Sequence, residues 1–202
     1  MVDFFVQGGG FMWPILIALL FGLAIIGERA YSLINSSSNT DQFFDDVKTV
    51  YDDSGKEQAI ELCENTPGPV ASIFYAGLSK MEKTKEEIEK ALQNAGGLEM
   101  AFLEKNMIWI HSVITIAPML GFTGTVVGMI KAFEDIKMAN DISPAVVAGG
   151  ISQALLTTAF GLIVAMIMQV AQNFFVSMID KLILDMEEQS IKIVEYLHSS
   201  KK

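Results

Sequence analysis

Two stretches without Asp, Glu, Lys or Arg, 106–130 and 142–179, flank a short segment, 131–141, that holds five such residues. This is the pattern of a transmembrane helical hairpin, because a helix needs about 20 apolar residues to cross the hydrocarbon core of a bilayer. One arm contains Ala117-Pro118-Met119-Leu120-Gly121-Phe122-Thr123-Gly124-Thr125-Val126-Val127-Gly128, and the other Gly150-Ile151-Ser152-Gln153-Ala154-Leu155-Leu156-Thr157-Thr158-Ala159-Phe160-Gly161. Glycine and threonine stand where lipid-facing helices carry leucine. Small residues let a second backbone approach closely, so both arms are expected to pack inside a bundle.

The rest of the chain agrees with a membrane protein carrying water-soluble extensions. Half of it is apolar (51%), and its charged residues are crowded into 28–105 and 180–202. A further uncharged stretch, 4–27, interrupted only by glycines and Pro14, reads as a first span. It lacks the basic leader and the Ala-x-Ala site of a signal peptide and is read as an uncleaved anchor. Lysine and arginine are missing from 1–10 and present after the first span and in the tail, which puts the N-terminus outside and the long insert and tail in the cytoplasm. Lys131 and Lys137 weigh mildly the other way. A formal net charge of −10 argues against a nucleic-acid partner. Cys63 is the only cysteine, and His111 and His198 lie far apart, so neither a disulfide, a metal site nor a cofactor site is read. No nucleophile, base or metal cluster points to an enzyme. His111 beside Trp109 reads as an interfacial anchor.

Between the first and second spans the pattern is one of short helices. The polar cluster Asn35-Ser36-Ser37-Ser38-Asn39 reads as a turn. Thr40 or Asp41 then caps a helix with Phe43, Phe44, Val47, Val50 and Tyr51 at three- and four-residue spacing. A helix over 56–64 stops before Thr66-Pro67-Gly68-Pro69, and another follows from Val70 with Phe74, Gly77 and Leu78 on one face. Thr84-Lys85-Glu86-Glu87 has capping-box spacing, opening a helix through Ile88, Leu92 and Leu98 that is expected to run into the second span, with Gly96-Gly97 as a kink. No strand-like alternation occurs.

Ser143-Pro144 is a cap and first-turn pair for the third span. From there to Ile179 about 36 residues would extend roughly 54 Å, against a core of about 30 Å. The excess is expected to project into the cytoplasm, its stripe of Ile179, Ile183, Met186, Ile193, Val194 and Leu197 covered by the short helices, by neighbouring copies or by both.

The spans are as informative for what they lack. Neither 112–130 nor 142–179 contains Asp, Glu, Lys, Arg or His, although ion-carrying spans mark their path with ionisable residues. If protons pass here, another chain brings the titrating group. Thr115, Thr123, Thr125, Ser152, Gln153, Thr157 and Thr158 are available to meet it, since a hydroxyl both donates and accepts. The alternative is that these hydroxyls bond a carbonyl one turn back or join helices. Pro118 is expected to kink the second span, and Gly124 with Gly128 forms a small-residue contact motif.

The two motifs resemble the signature hairpin of the ExbB/TolQ/MotA superfamily. Ala117-Pro118-x-x-Gly121-x-x-Gly124-Thr125-Val126-x-Gly128-Met129-x-x-Ala132-Phe133 is similar to its second-span motif. Gly150-Ile151-x-x-Ala154-Leu155-x-Thr157-Thr158-Ala159-x-Gly161-Leu162-x-Val164-Ala165 is similar to its third. Glu28-Arg29 after the first span also matches, and three spans with a cytoplasmic insert look like the ExbB and TolQ branch. The resemblance departs at Gln153, where many ExbB-type chains carry glutamate, and at Gly149 and Ile167, where prolines are common.

The resemblance implies an all-α membrane protein with three transmembrane helices, long cytoplasmic helical extensions and an oligomeric ring. Its parts are a first span at 1–29 with a periplasmic N-terminus, a cytoplasmic region at 30–105, a hairpin at 106–179 and a cytoplasmic tail at 180–202, in the inner membrane of a bacterium. It further implies a homopentamer around two copies of an ExbD-like single-span partner whose aspartate carries protons. Thr125, Thr158, Thr157 and Gln153 would line the path, and Gly121, Gly124, Gly128, Pro118 and Gly161 would pack the helices. Such a motor, bathed in membrane lipid, would energise TonB-dependent transport through a TonB-like protein. The alternatives are a TolQ-like subunit of the Tol-Pal system, a gliding or secretion motor, or a non-conducting scaffold.

Overall fold

The computed structural model describes residues 2–36, 40–139 and 144–199. Among them every regular element is helical: α1 (Val2–Gln7), α2 (Met12–Ser36), α3 (Thr40–Ser54), α4 (Lys56–Asn65), α5 (Pro69–Ser79), α6 (Lys85–Leu103), α7 (Met107–Ala139) and α8 (Pro144–Ser199). Three helical stretches, within Met12–Ser36, Lys85–Met138 and Ala148–His198, are long and apolar enough to cross a membrane. The chain divides into two compact units, Met1–Glu28 with Asn106–Phe174, and Arg29–Lys105 with Phe175–Lys202.

In the first unit, the stretch read as one span at 4–27 is interrupted. α1 ends at Gln7, and Gly9 takes φ +72, a conformation in which a side chain is strained, before α2 starts at Met12. Pro14 stands in the first turn of α2, where a missing N–H leaves no intrahelical bond unmade. Phe5 and Trp13 close over this break edge to face, with ring centroids 5.3 Å apart, and Met12 and Ile15 are buried. α7 begins only after a break at Asn106, the one described non-glycine residue with positive φ, at 64°. The expected uninterrupted helix from Thr84 into the second span therefore divides in two. Asparagine tolerates the left-handed region, and here its Nδ2 donates to Glu28 Oε2 at 3.2 Å.

The segment 131–141, expected to be a loop, is helical as far as Ala139. Lys131-Ala132-Phe133-Glu134-Asp135-Ile136-Lys137-Met138-Ala139 contains no glycine or proline, and most of these residues are good helix formers, so charge alone does not end the helix. The Ser143 part of the expected cap, like Ser37-Ser38-Asn39 of the expected turn, lies outside the described residues. Pro144 is the first residue of α8, which has 56 residues and so a length of about 84 Å. α7 runs through Pro118 without interruption.

The second unit is a helical cluster with its own core. Pro69 opens α5 at its first position, and Val70, Ala71, Ile73, Phe74, Gly77 and Leu78 are buried. Phe74 takes Phe43 and Phe44 of α3 at centroid distances of 5.7 and 5.9 Å. The tail of α8 is covered within its own chain: Ile179, Met186, Ile193 and Leu197 are buried as the stripe requires, together with Leu182, while Ile183 and Val194 are half-buried. Burial lifts the Cys63 thiol to about 12, so it is an inert core residue. The capping box forms: Thr84 Oγ1 accepts from the Glu87 N–H at 3.3 Å, and Glu87 Oε2 accepts from the Thr84 N–H at 3.1 Å. Those two bonds to Thr84, the backbone one first, hold the Glu87 carboxyl below its ordinary range.

The start of α3 is tied to α8 by polar contacts. Asp41 Oδ1 accepts from Lys192 Nζ at 2.7 Å and from Gln189 Nε2 at 2.8 Å. The Lys192 bond first, then that of Gln189, lowers the Asp41 pKa. A carboxyl whose pKa is depressed on folding lends stability above its unfolded value, about 3.9, and loses it as pH falls through the folded one. We expect the protection factors of the second-turn amides of α3 to be highest at neutral pH and to fall below the usual carboxylate range. Asp41→Asn should show the lower protection at neutral pH and converge with the parent once Asp41 is protonated.

Candidate functional site

α7 and α8 meet backbone to backbone in antiparallel register. A Cβ built on Gly161 would lie 2.5 Å from the Ala117 carbonyl oxygen, one on Gly121 would lie 2.8 Å from that of Thr157, and one on Gly128 would lie 3.2 Å from Ala154 Cβ. At the far end a Cβ on Gly150 would meet Ala132 Cβ at 2.4 Å. Bilayer lipid is as apolar as leucine, so close packing of small residues, not water exclusion, holds such helices together. Of the residues expected to pack the helices, Gly121, Gly124, Gly128 and Gly161 lie on this seam, where the structure also places Gly150, Ala154 and Ala132, which the sequence reading did not assign to packing. The signal was available, because 150, 154, 157 and 161 repeat at the three- and four-residue spacing of one helical face.

This close approach brings two threonines together. Thr125 Oγ1 of α7 and Thr158 Oγ1 of α8 are hydrogen-bonded partners, both half-buried. Thr125 Oγ1 also lies 3.0 Å from the Ala154 carbonyl oxygen and 3.2 Å from that of Gly121, and Thr158 Oγ1 lies 3.2 Å from the same Gly121 oxygen. The two hydroxyls own two hydrogens between them. One bridges the pair, and the other is left for a carbonyl. By helix geometry those carbonyls already accept from the N–H four residues on, Thr125 for Gly121 and Thr158 for Ala154. The hydroxyl bonds to them are therefore additional to the backbone ones and can be given up without orphaning a backbone group. A carboxylate arriving at the pair would receive a hydrogen, and a neutral carboxylic acid would find an oxygen to accept its own.

The other residues singled out lie elsewhere. Thr157 is buried, donates to the Ala154 carbonyl oxygen at 2.8 Å, and sits where a Cβ on Gly124 would lie 2.7 Å from its Oγ1. It fills the seam between the helices. Gln153 stands five residues before Thr158, about 140° around the helix, and its amide rests on the Gly9 turn, where an added Cβ would lie 2.1 Å from Nε2. Thr115 and Thr123 are exposed and bond back to the carbonyls of His111 and Met119 at 3.1 and 2.8 Å, the local alternative weighed for them. Among the described residues no group of three His, Cys, Asp or Glu side chains gathers to hold a metal.

The model of the MotA/TolQ/ExbB proton channel family matches residues 65–188. The chain belongs to that family. Its relatives include the protein named ExbB-like 3 of Synechocystis sp., 29% identical over 188 residues, which are 92% of this chain and 90% of that one. The biopolymer transport protein ExbB of Xanthomonas campestris pv. campestris is 34% identical over 99 residues, 49% of this chain and 39% of the relative. The Tol-Pal system protein TolQ of Pseudomonas aeruginosa is 28% identical over 117 residues, 52% of this chain and 51% of the relative. Family membership and three helices long enough to span make the chain a multi-pass membrane protein of the proton-channel type. The matched region contains both glycine and threonine motifs of the hairpin.

Proposed function

We propose that the chain is the ring-forming subunit of an inner-membrane motor driven by the proton-motive force. Five copies surround two single-span, ExbD-like helices, and an aspartate of the partner takes up and releases the proton. The observation that carries this reading is the Thr125–Thr158 pair, a hydrogen-bond donor and acceptor site within 112–130 and 142–179, which contain no Asp, Glu, Lys, Arg or His. Thr125 and Thr158 face the partner aspartate, Thr157 and the glycines hold the two helices at that spacing, and Gln153 flanks the path at the Gly9 turn. The N-terminus is periplasmic and the tail cytoplasmic. Force passes to a TonB-like protein that serves transport across the outer membrane.

The energy is of the right size. A potential of 100 mV supplies about 2.3 kcal/mol per charge, against a net of about 1 kcal/mol for one neutral hydrogen bond. One proton can thus carry the partner past one set of hydroxyls. The TolQ relative supports a second reading, in which the same motor serves the Tol-Pal envelope system.

Two measurements test the proposal. Native mass spectrometry of the complex taken gently from its host should find five copies with two of a small single-span protein, whose periplasmic domain separates the two branches. Thr158→Val keeps the shape of the side chain and removes its hydroxyl. We expect the variant to assemble normally and to lose at least tenfold in proton flux, about 1.4 kcal/mol of barrier. Undiminished flux in an intact complex would reduce the threonines to packing residues and bring the scaffold reading forward.

A further inference from the structure

Three chemically distinct strips run along α8 beyond Thr158. With Thr158 as the reference direction, 3.6 residues per turn put Val164 and Met168 about 80–120° to one side, and both are buried. Met166, Val170 and Phe174 fall about 80–160° to the other side, 59, 71 and 64% exposed, an apolar surface suited to lipid or a neighbouring helix. Between these strips, within about 60° of Thr158, stand Gly161 and Leu162 and, beyond them, Ala165, Gln169, Gln172 and Asn173.

The amides in this sector are organised. Gln169 Nε2 donates to Asn173 Oδ1 at 2.9 Å, and both side chains are exposed. Gln172 Oε1 is buried and has no hydrogen-bond partner in the chain. An amide oxygen withdrawn from water without a donor is unfavourable, so the position calls for a donor from outside the chain. Gln169 and Gln172 lie about 16 and 21 Å along the axis from Thr158, with Leu162 and the small side chain of Ala165 between.

We propose that Gln169 and Gln172, the first oriented by Asn173, form the inner mouth of the proton path whose middle is the Thr125–Thr158 pair. This rests on the reading of that pair given above. An amide neither takes up nor releases a proton at physiological pH, but its oxygen accepts and its NH2 donates. The two glutamines hold a file of water between the cytoplasm and the carboxyl group at the threonines. A proton entering the file is passed on by each water giving up another, so the amides end unchanged and uncharged. Gln172 Oε1, buried and without a partner as it stands, finds its donor in this water when the amide turns outward.

The test compares variants of the whole complex, partner included, in liposomes loaded with a pH-sensitive dye under an imposed potential, with native mass spectrometry as the assay of assembly. Gln169→Leu with Gln172→Leu should leave the stoichiometry intact and lower proton flux about tenfold, equivalent to about 1.4 kcal/mol, and Gln169→Asn with Gln172→Asn should restore most of it. A leucine pair with wild-type flux beside a Thr158→Val variant that has lost flux overturns the inner mouth and leaves the threonine reading standing. Wild-type flux in both overturns both. Should the leucine pair fail to assemble, Gln169→Glu with Gln172→Glu decides: a titrating mouth gives the flux a new pH dependence in the carboxylate range, and an unchanged pH profile overturns the proposal.

Discussion

Gly161→Val is expected to prevent the α7–α8 hairpin from forming in its native register. The new Cβ would stand 2.5 Å from the Ala117 carbonyl oxygen and 3.2 Å from Gly121 Cα. Both obstacles are backbone, so no rotamer change relieves them and the helices must separate. Overpacking a tight interface costs about 1–3 kcal/mol where side chains can move, and here we expect the top of that range or beyond. Separation would also pull Thr158 away from Thr125, so proton flux should fall together with thermal stability in detergent. Gly149→Ala is the control. Nothing lies within 4 Å of the position a Cβ would take there, and alanine favours helix over glycine by about 1 kcal/mol, so that variant should be at least as stable as the parent. Equal stability of the two variants would mean that the close contact at Gly161 is not what holds the hairpin.

The second large effect is expected at Arg29. Its side chain is 1% exposed, and Nη1 donates to the carbonyl oxygens of Leu103 at 3.4 Å and Phe102 at 3.5 Å. Those carbonyls end α6, where the last four of a helix lack i→i+4 partners and the helix dipole is negative; the Phe102 oxygen also accepts from the Lys105 N–H at 3.2 Å. A buried guanidinium answers both needs. Arg29→Met keeps much of the apolar stem and removes every donor, so it should destabilise the second unit by about 2 kcal/mol. Hydrogen exchange should localise the loss to the last turn of α6. Arg29→Lys, with a single ammonium in place of a planar fork, should recover only part. Unchanged protection of Phe102 and Leu103 in Arg29→Met would show that the carbonyls are satisfied by something else.

Much of this architecture was legible because it is written in local chemistry. The capping box at Thr84, the stop at Thr66-Pro67 and the buried face of α5 each depend on residues within one or two turns, and each stands where the sequence put it. The ends of the long helices were less legible. Charges at Lys131, Glu134 and Asp135 mark where a chain leaves apolar surroundings, but the helix itself ends only when its backbone preference changes. Asn106 and Gly9 break helices through positive φ, which a single asparagine or glycine does not announce. Within the site, Thr125 and Thr158 were singled out by their glycine-rich settings, whereas their partnership, the burial of Thr157 and the contact of Gln153 with Gly9 depend on which side of α8 each occupies. Counting turns from Thr158 would have separated them.

The glycine contacts of the hairpin have a mechanical meaning. From Gly161 against Ala117 to Gly150 against Ala132, the two helices meet through backbone, alanine methyls and the branched side chain of Thr157, with no long side chain between them to take up slack. Sliding one helix past the other by a single residue would drive carbonyl oxygens and methyl groups into one another. The pair therefore behaves as one stiff rail. A machine built around it must place its moving joint at the rail's outer surface, and on the function proposed above the threonine pair is a fixed notch in that rail past which a partner moves.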